Sequence, residues 1–361
     1  MSIHDYLRLT VDQKASDLHL IAGARPRIRS RGHLEVIEGS GELSDADVLA
    51  LLEEVVPPEN WEIYRRTGDT DFALAIPGIA RFRVNYLRQA RGAGAVFRVI
   101  PENVQSLEAL GLPASVAQLA EIRSGLALVT GPTGSGKSTT LAAVIDRINE
   151  TTARHIVTIE DPVEFIHRPK RSFLSQRAVG YDTETIAAAL RSAIRQDADV
   201  ILVGELRDLE TISLALKAAE MGILVFGTLH TNSAPKTIDR LIDVFPTDEQ
   251  SQARISLSES LAAIVAQQLI PRADGSGRVA ALEILLRTPG LPNIIREGSV
   301  SMLITMMQGG KGFGMQLLDD ALAALVARGV IELHEAQTRA QDGGRLDKLI
   351  QDARDVQASG R

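Results

Sequence analysis

Over the first hundred residues the hydrophobic positions come in short alternating runs. Asp17-Leu18-His19-Leu20-Ile21 alternates polar with apolar and predicts a strand. Residues 27–37 predict a hairpin turning at Arg31-Gly32. Ser44-Asp45-Ala46-Asp47 fits a capping box, opening a helix with Val48, Leu51, Leu52 and Val55 on one face and stopped by Pro57-Pro58. Short strands follow over 71–76, 81–87 and 95–100, with turns at Pro77-Gly78 and at 91–94. Residues 1–100 therefore read as a small α+β domain, and the Pro-, Glu- and Asn-containing stretch 101–125 as a linker. From 126 the pattern changes to apolar strand runs (126–130, 155–159, 200–203, 223–228) separated by helical periodicity. That alternation predicts an α/β core with a mostly parallel sheet covered by helices. A hairpin is expected within 264–286, turning at Asp274-Gly275-Ser276-Gly277, which closes the core at 286. Residues 287–361 read as a helical C-terminal region with a polar tail.

Composition narrows the chemistry. The 361 residues are 45% hydrophobic and 24% charged, as in an ordinary folded chain with two or three domains. Aromatic residues make up 4%, so aliphatic packing must dominate the cores. There are no cysteines, which excludes disulfides, cysteine-ligated zinc and thiol catalysis. A net charge of -7 argues against a nucleic-acid partner, because duplex binders carry a basic stripe. The segment MSIHDYLRLT lacks the basic and apolar regions of a signal peptide, and no apolar run is long enough to span a bilayer. The expected location is cytoplasmic, with membrane association only through partners.

The strongest local signal is Gly131-Pro132-Thr133-Gly134-Ser135-Gly136-Lys137-Ser138, followed by Thr139. It matches the phosphate-binding pattern G-x-x-x-x-G-K-[ST] throughout, between an apolar strand run and a helical pattern, as the motif requires. Glycines let successive backbone N–H groups turn inward onto phosphate oxygens, and the helix start adds partial positive charge there. Lys137 is expected to reach the β- and γ-phosphates, and the Ser138 hydroxyl to ligate magnesium. Glu205, the first acid after the apolar run 200–203, is assigned to the magnesium shell. The segment 158–164 places Glu160, Asp161 and Glu164 after another strand, where a carboxylate can orient or deprotonate an attacking water. ATP and Mg2+ are thus the expected ligands.

Beyond the loop, TIEDPVEF (158–165), VILVGELRDLETI (200–212) and LVFGTLHTNSAPKTIDRLIDVFP (224–246) resemble the secretion-superfamily hexameric ATPases. The likeness is greatest to the type IV pilus retraction ATPases, the PilT-type twitching motility proteins. ASDLHL (15–20), ARFRVN (80–85) and RGAGAVFR (91–98) extend it through the first domain. The resemblance implies a PAS-like N-terminal domain, a RecA-like core and a homohexameric ring with ATP between subunits. It implies Glu164 as the catalytic glutamate, with Glu160 the alternative, and His230 as a residue facing the γ-phosphate. Arg81, Arg83 and Arg98 match family arginines that reach nucleotide, although alternation on a strand equally describes Arg81 and Arg83 as a solvated face. Arg191 and Arg195, four apart on a helix expected over 184–196, share a face and are further candidates.

Two departures bear on function. The family pattern has two histidines in the region of His230, and Ile223 stands at the first. The retraction signature near 290–297 is partial, with Gly290-Leu291-Pro292 before Asn293-Ile294-Ile295-Arg296-Glu297. A short chain without cysteines favours a retraction motor, acting on an inner-membrane pilus platform protein and working beside other pilus ATPases. The alternatives are an accessory or regulatory paralogue of that motor, and a pilus assembly or type II secretion ATPase.

Overall fold

The computed structural model describes residues 1–30, 32–100 and 104–359. The chain divides into two compact units, one comprising Met1–Asn103 with Pro162–Ile166 and the other Val104–Asp161 with His167–Arg361.

The first unit contains α1 (Ile3–Asp12), β1 (Asp17–Ile21), β2 (Arg27–Ser30), β3 (His33–Val36), α2 (Asp45–Glu53), α3 (Pro58–Thr67), β4 (Asp69–Ile76), β5 (Ala80–Gln89) and β6 (Gly92–Ile100). Its strands form an antiparallel sheet in the order β3-β2-β1-β6-β5-β4. On β5, Ala80, Phe82, Val84 and Tyr86 enter the core while Arg81, Arg83 and Asn85 take the other face. The expected capping box opens α2, where Ser44 and Asp47 satisfy each other's backbone N–H groups. Pro57-Pro58 does end that helix, but it also starts the next: Pro57 is the N-cap and Pro58 the first residue of α3. Proline suits that first position because its missing N–H would have no helical partner. The expected hairpin forms over β2 and β3, with Arg31 outside the described residues. This unit is the α+β, PAS-like domain that the resemblance implies.

The second unit contains α4 (Ala114–Ala117), β7 (Gly125–Thr130), α5 (Lys137–Thr151), β8 (His155–Glu160), β9 (Phe173–Ala178), α6 (Ile186–Ala193), β10 (Val200–Val203), α7 (Leu209–Glu220), β11 (Leu224–Leu229), α8 (Ala234–Asp243), α9 (Gln250–Ser260), β12 (Leu261–Pro271), β13 (Arg278–Leu286), α10 (Leu291–Glu297), α11 (Val300–Gly309), α12 (Leu318–Ala327), α13 (Leu333–Arg339) and α14 (Gly343–Ser359). Its seven strands run in the order β13-β12-β7-β11-β10-β8-β9. Every pairing is parallel except the β12–β13 hairpin.

Alternate residues of the central strands feed two different cores. Leu126, Leu128, Ile201, Val203 and Val225 pack with α6, α7 and α8. Ala127, Val129, Val200, Leu202 and Phe226 pack with α5 and with Val116 and Leu119 of the stretch before β7. Both faces being covered, these strands are apolar throughout, as parallel strands are. Of the stretch read as a linker, 101–103 lie outside the described residues, and Leu107, Val116, Leu119 and Ala120 are core residues of the second unit. The parallel sheet with helices on both faces is the RecA-like arrangement.

Candidate functional site

In the second unit the phosphate loop joins β7 to α5. Gly131 has φ +144, and a Cβ there would lie 2.2 Å from the Gln267 carbonyl oxygen, so only glycine fits. Gly136 is the N-cap of α5 in the left-handed region, and no side chain caps that helix. Its first N–H groups therefore face the concavity of the loop, where an anion is favoured. Lys137 folds over the loop, its Nζ donating to the carbonyls of Gly131 at 2.7 Å and Pro132 at 3.1 Å. Ser138 is exposed on the first turn of α5.

Gln267 braces this loop from behind. It is 3% exposed in the middle of β12. Its Nε2 donates to the Ser135 carbonyl at 2.7 Å, and its Oε1 accepts from the Thr140 hydroxyl at 2.8 Å. One side chain thus ties the loop to the helix it opens. The sequence carries a signal for it, a glutamine pair inside the apolar run IVAQQLI.

Glu205 follows β10 and meets two side chains, Arg207 and His230. Arg207 Nη2 lies 2.7 Å from Oε2, and His230 Nε2 lies 3.2 Å from Oε1. Partial burial pushes this carboxyl up, but Arg207 and then His230 outweigh burial and hold it below its ordinary range. The strand ends that carry the pair are locked together: the Thr228 hydroxyl donates to the Gly204 carbonyl, and the Leu206 N–H to the Thr228 carbonyl at 3.0 Å. Arg207, two residues beyond Glu205, was not singled out from the sequence. Glu160, at the end of β8, accepts from the Thr158 hydroxyl at 2.7 Å.

The helix expected over 184–196 is shorter in the structure. The helix covers only 186–193, and the chain then tightens into three-residue turns, with the Arg195 N–H donating to the Ser192 carbonyl at 2.9 Å. Arg195 therefore lies just beyond the helix that carries Arg191. Arg191 itself pairs with Glu210. Ile223 is 9% exposed and packs in a core just before β11. His230 follows the other end of that six-residue strand, which at about 3.3 Å per residue puts the two roughly 20 Å apart. Ile223 is a core residue remote from the phosphate loop.

In the first unit, Arg29, Asp17, Arg98 and Arg83 stand in one cross-strand row on the face away from the core. Arg98 Nε donates to the buried Asp17 at 2.7 Å. Arg83 Nη1 lies 4.0 Å from Glu164, which belongs to the Pro162–Ile166 stretch of this unit. The Arg81 Nε is buried without a hydrogen-bond partner. Such a surface, with three arginines and one buried carboxylate, is suited to an anionic ligand.

An uncapped helix start behind a glycine loop, a lysine folded over it and Glu205 paired with Arg207 and His230 define a RecA-like P-loop nucleotide-binding protein. The chain belongs to the type II/IV secretion system protein family, whose model matches residues 2–349. It is 50% identical to the type IV pilus retraction ATPase PilT of Pseudomonas aeruginosa, over 94% of this chain and 98% of that protein. It is 48% identical to a twitching motility protein of Neisseria gonorrhoeae, over 94% of this chain and 91% of that one. Among solved structures, the pilus retraction motor PilT with bound ADP superposes with a TM-score of 0.90 at 41% identity, covering 96% of this chain and 99% of the other.

Proposed function

We propose that this chain is an ATP-hydrolysing motor, assembled as a homohexamer, that powers retraction of type IV pili. The observation that carries this reading is the 50% identity with a pilus retraction ATPase over nearly the whole of both chains. The intact phosphate loop supports turnover rather than a scaffold role.

ATP binds with its phosphates in the loop of residues 131–139, held by inward N–H groups and Lys137. Glu205 and Ser138 suit magnesium, since an exposed hydroxyl and an ionised carboxylate are the hard oxygen donors it prefers. Held there by Ser138 and Glu205, magnesium would supply positive charge against the bound phosphates. His230, held by Glu205, faces the γ-phosphate. Glu164 orients the attacking water and takes its proton. Arg81, Arg83 and Arg98 of an adjacent subunit's first domain close on the phosphates, so that binding and hydrolysis alter the subunit interface. Arg195 is retained as a further candidate for such a contact. Sequential closure turns an inner-membrane platform protein at the pilus base and withdraws pilin subunits. The chain works in the cytoplasm, beside other pilus ATPases, and no described helix is long and apolar enough to cross a membrane.

The test is a count of surface pili and twitching in cells whose copy carries Lys137→Ala. More pili with lost motility is the expected result. Bald cells would identify an assembly motor instead. No change in either would favour the accessory paralogue, the reading to which Ile223 in place of a family histidine lends its one supporting observation.

A further inference from the structure

Glu283 is an ionisable residue for which the proposed mechanism has no use, and it lies deep in the second unit. It sits in the middle of β13 and is 1% exposed. Its Oε1 accepts the N–H of Ala234, the first residue of α8, at 2.7 Å. Its Oε2 is buried with no hydrogen-bond partner. The Gln341 side chain and the Leu318 N–H also face the carboxyl, and Asp319 lies nearby. Burial pushes the carboxyl up. Burying a carboxyl in the middle of a strand is costly unless it holds something in place.

What it holds is the base of the His230 loop. Residues 230–233 run directly from His230 into the start of α8. The same loop is held from its other side, where Gln341 Nε2 donates to the Asn232 carbonyl at 3.3 Å. Gln341 is in turn fixed by α12, its N–H donating to Asp319 Oδ1 at 2.9 Å, while the neighbouring Asp342 N–H donates to Oδ2 at 3.0 Å. Inside the loop, the Thr231 and Thr237 hydroxyls lie 2.7 Å apart, and Thr237 donates to the Ser233 carbonyl at 2.7 Å. A set of contacts therefore runs from α12 through Gln341 and Glu283 to residues 232–234, the far end of the short loop that begins at His230.

We propose that Glu283 is a positioning residue for ATP turnover: it anchors the start of α8, and with Gln341 it makes the placement of His230 depend on the packing of α12–α14. The turnover part rests on the motor reading given above. The anchoring part does not. A shift of the C-terminal helices, as by a partner docked on them, would reach the nucleotide site through these two side chains.

The experiment compares full-length wild type, Glu283→Leu, Glu283→Gln and Gln341→Ala. It measures kcat and KM for ATP, affinity for ADP, and amide hydrogen exchange over residues 230–237. Losing the Ala234 acceptor leaves a buried donor unpaired, so Glu283→Leu should speed exchange there and lower kcat by about tenfold each, with ADP affinity within about twofold. Glu283→Gln keeps a carbonyl for Ala234 and should stay within about threefold of wild type in both. Gln341→Ala, an exposed position that leaves the core intact, should move both in the same direction as Leu by about threefold. Unchanged exchange and kcat in Gln341→Ala and in a folded Glu283→Leu would overturn the proposal, as would a glutamine variant as impaired as the leucine one. If Glu283→Leu does not fold, the other two variants decide. If wild type does not turn ATP over, the motor reading fails while the exchange data still judge the anchor.

Discussion

Single side chains divide the proposed work between holding nucleotide and breaking it, and kinetics can separate the two. Gln267 touches the loop and not the reaction. Gln267→Leu leaves the Ser135 carbonyl and the Thr140 hydroxyl without their partner, a loss of about 1–3 kcal/mol for buried groups. The expected result is a KM for ATP raised roughly tenfold with kcat lowered much less, read from steady-state turnover. Glu164 is the opposite case. Glu164→Gln should bind ATP as wild type does yet lower kcat by about 10²–10⁴-fold, the usual contribution of a positioned general base. Wild-type turnover in that variant would remove Glu164 from the role and leave Glu160, at the end of β8, to be tested next. At this scale the sequence was legible where a motif fixes spacing, as for Gly131 to Ser138. It was silent where a contact joins distant positions, as with Gln267 to Ser135 or Glu283 to Ala234, because a single chain's periodicity carries no information about which strand lies behind which loop.

Elements were legible where their burial pattern matches one period. The strand runs 126–130, 155–159 and 200–203 each lie within an observed strand, and the 264–286 hairpin turns where Asp274 to Gly277 places it. Three of the elements that escaped did so for identifiable reasons. The edge strand β9 is half-exposed and polar, FLSQRA, so it shows no apolar run. Helix α1 starts from a Ser2–Asp5 capping box, but with Asp rather than Glu at the third helical position the signal is weak. Helix α3 begins at a proline read purely as a stop. The two-sided burial of the central strands has an energetic signature. Ile201 and Leu202 are adjacent on β10 but face different cores. Each substitution to alanine should therefore cost about 2–5 kcal/mol, seen as a lower denaturation midpoint at unchanged slope. On a strand with one solvent face, only one of the two would cost that much.

At the scale of the whole molecule, the arginines and the phosphate loop belong to different compact units, so the proposed ring raises the question of whose arginines complete a site. The first domain's row of Arg83, Arg98 and Asp17 is built as a surface rather than a core, and a cyclic head-to-tail ring presents each chain's surface to a neighbour's loop. If arginines act between subunits, Lys137→Ala and Arg83→Ala chains, each inactive alone, should complement when mixed. A site then works when an Arg83→Ala chain supplies the loop and a Lys137→Ala neighbour supplies the arginine. Random equimolar assembly makes that about one site in four, so turnover should recover to about a quarter of wild type. Arginines acting within their own chain predict no recovery at any ratio, because every site would keep one defect. Both parents must first be shown by light scattering to form the same ring as wild type. Recovery that rises and falls with the mixing ratio, peaking at equal amounts, is the expected outcome, and it would assign Arg83 to the neighbouring site.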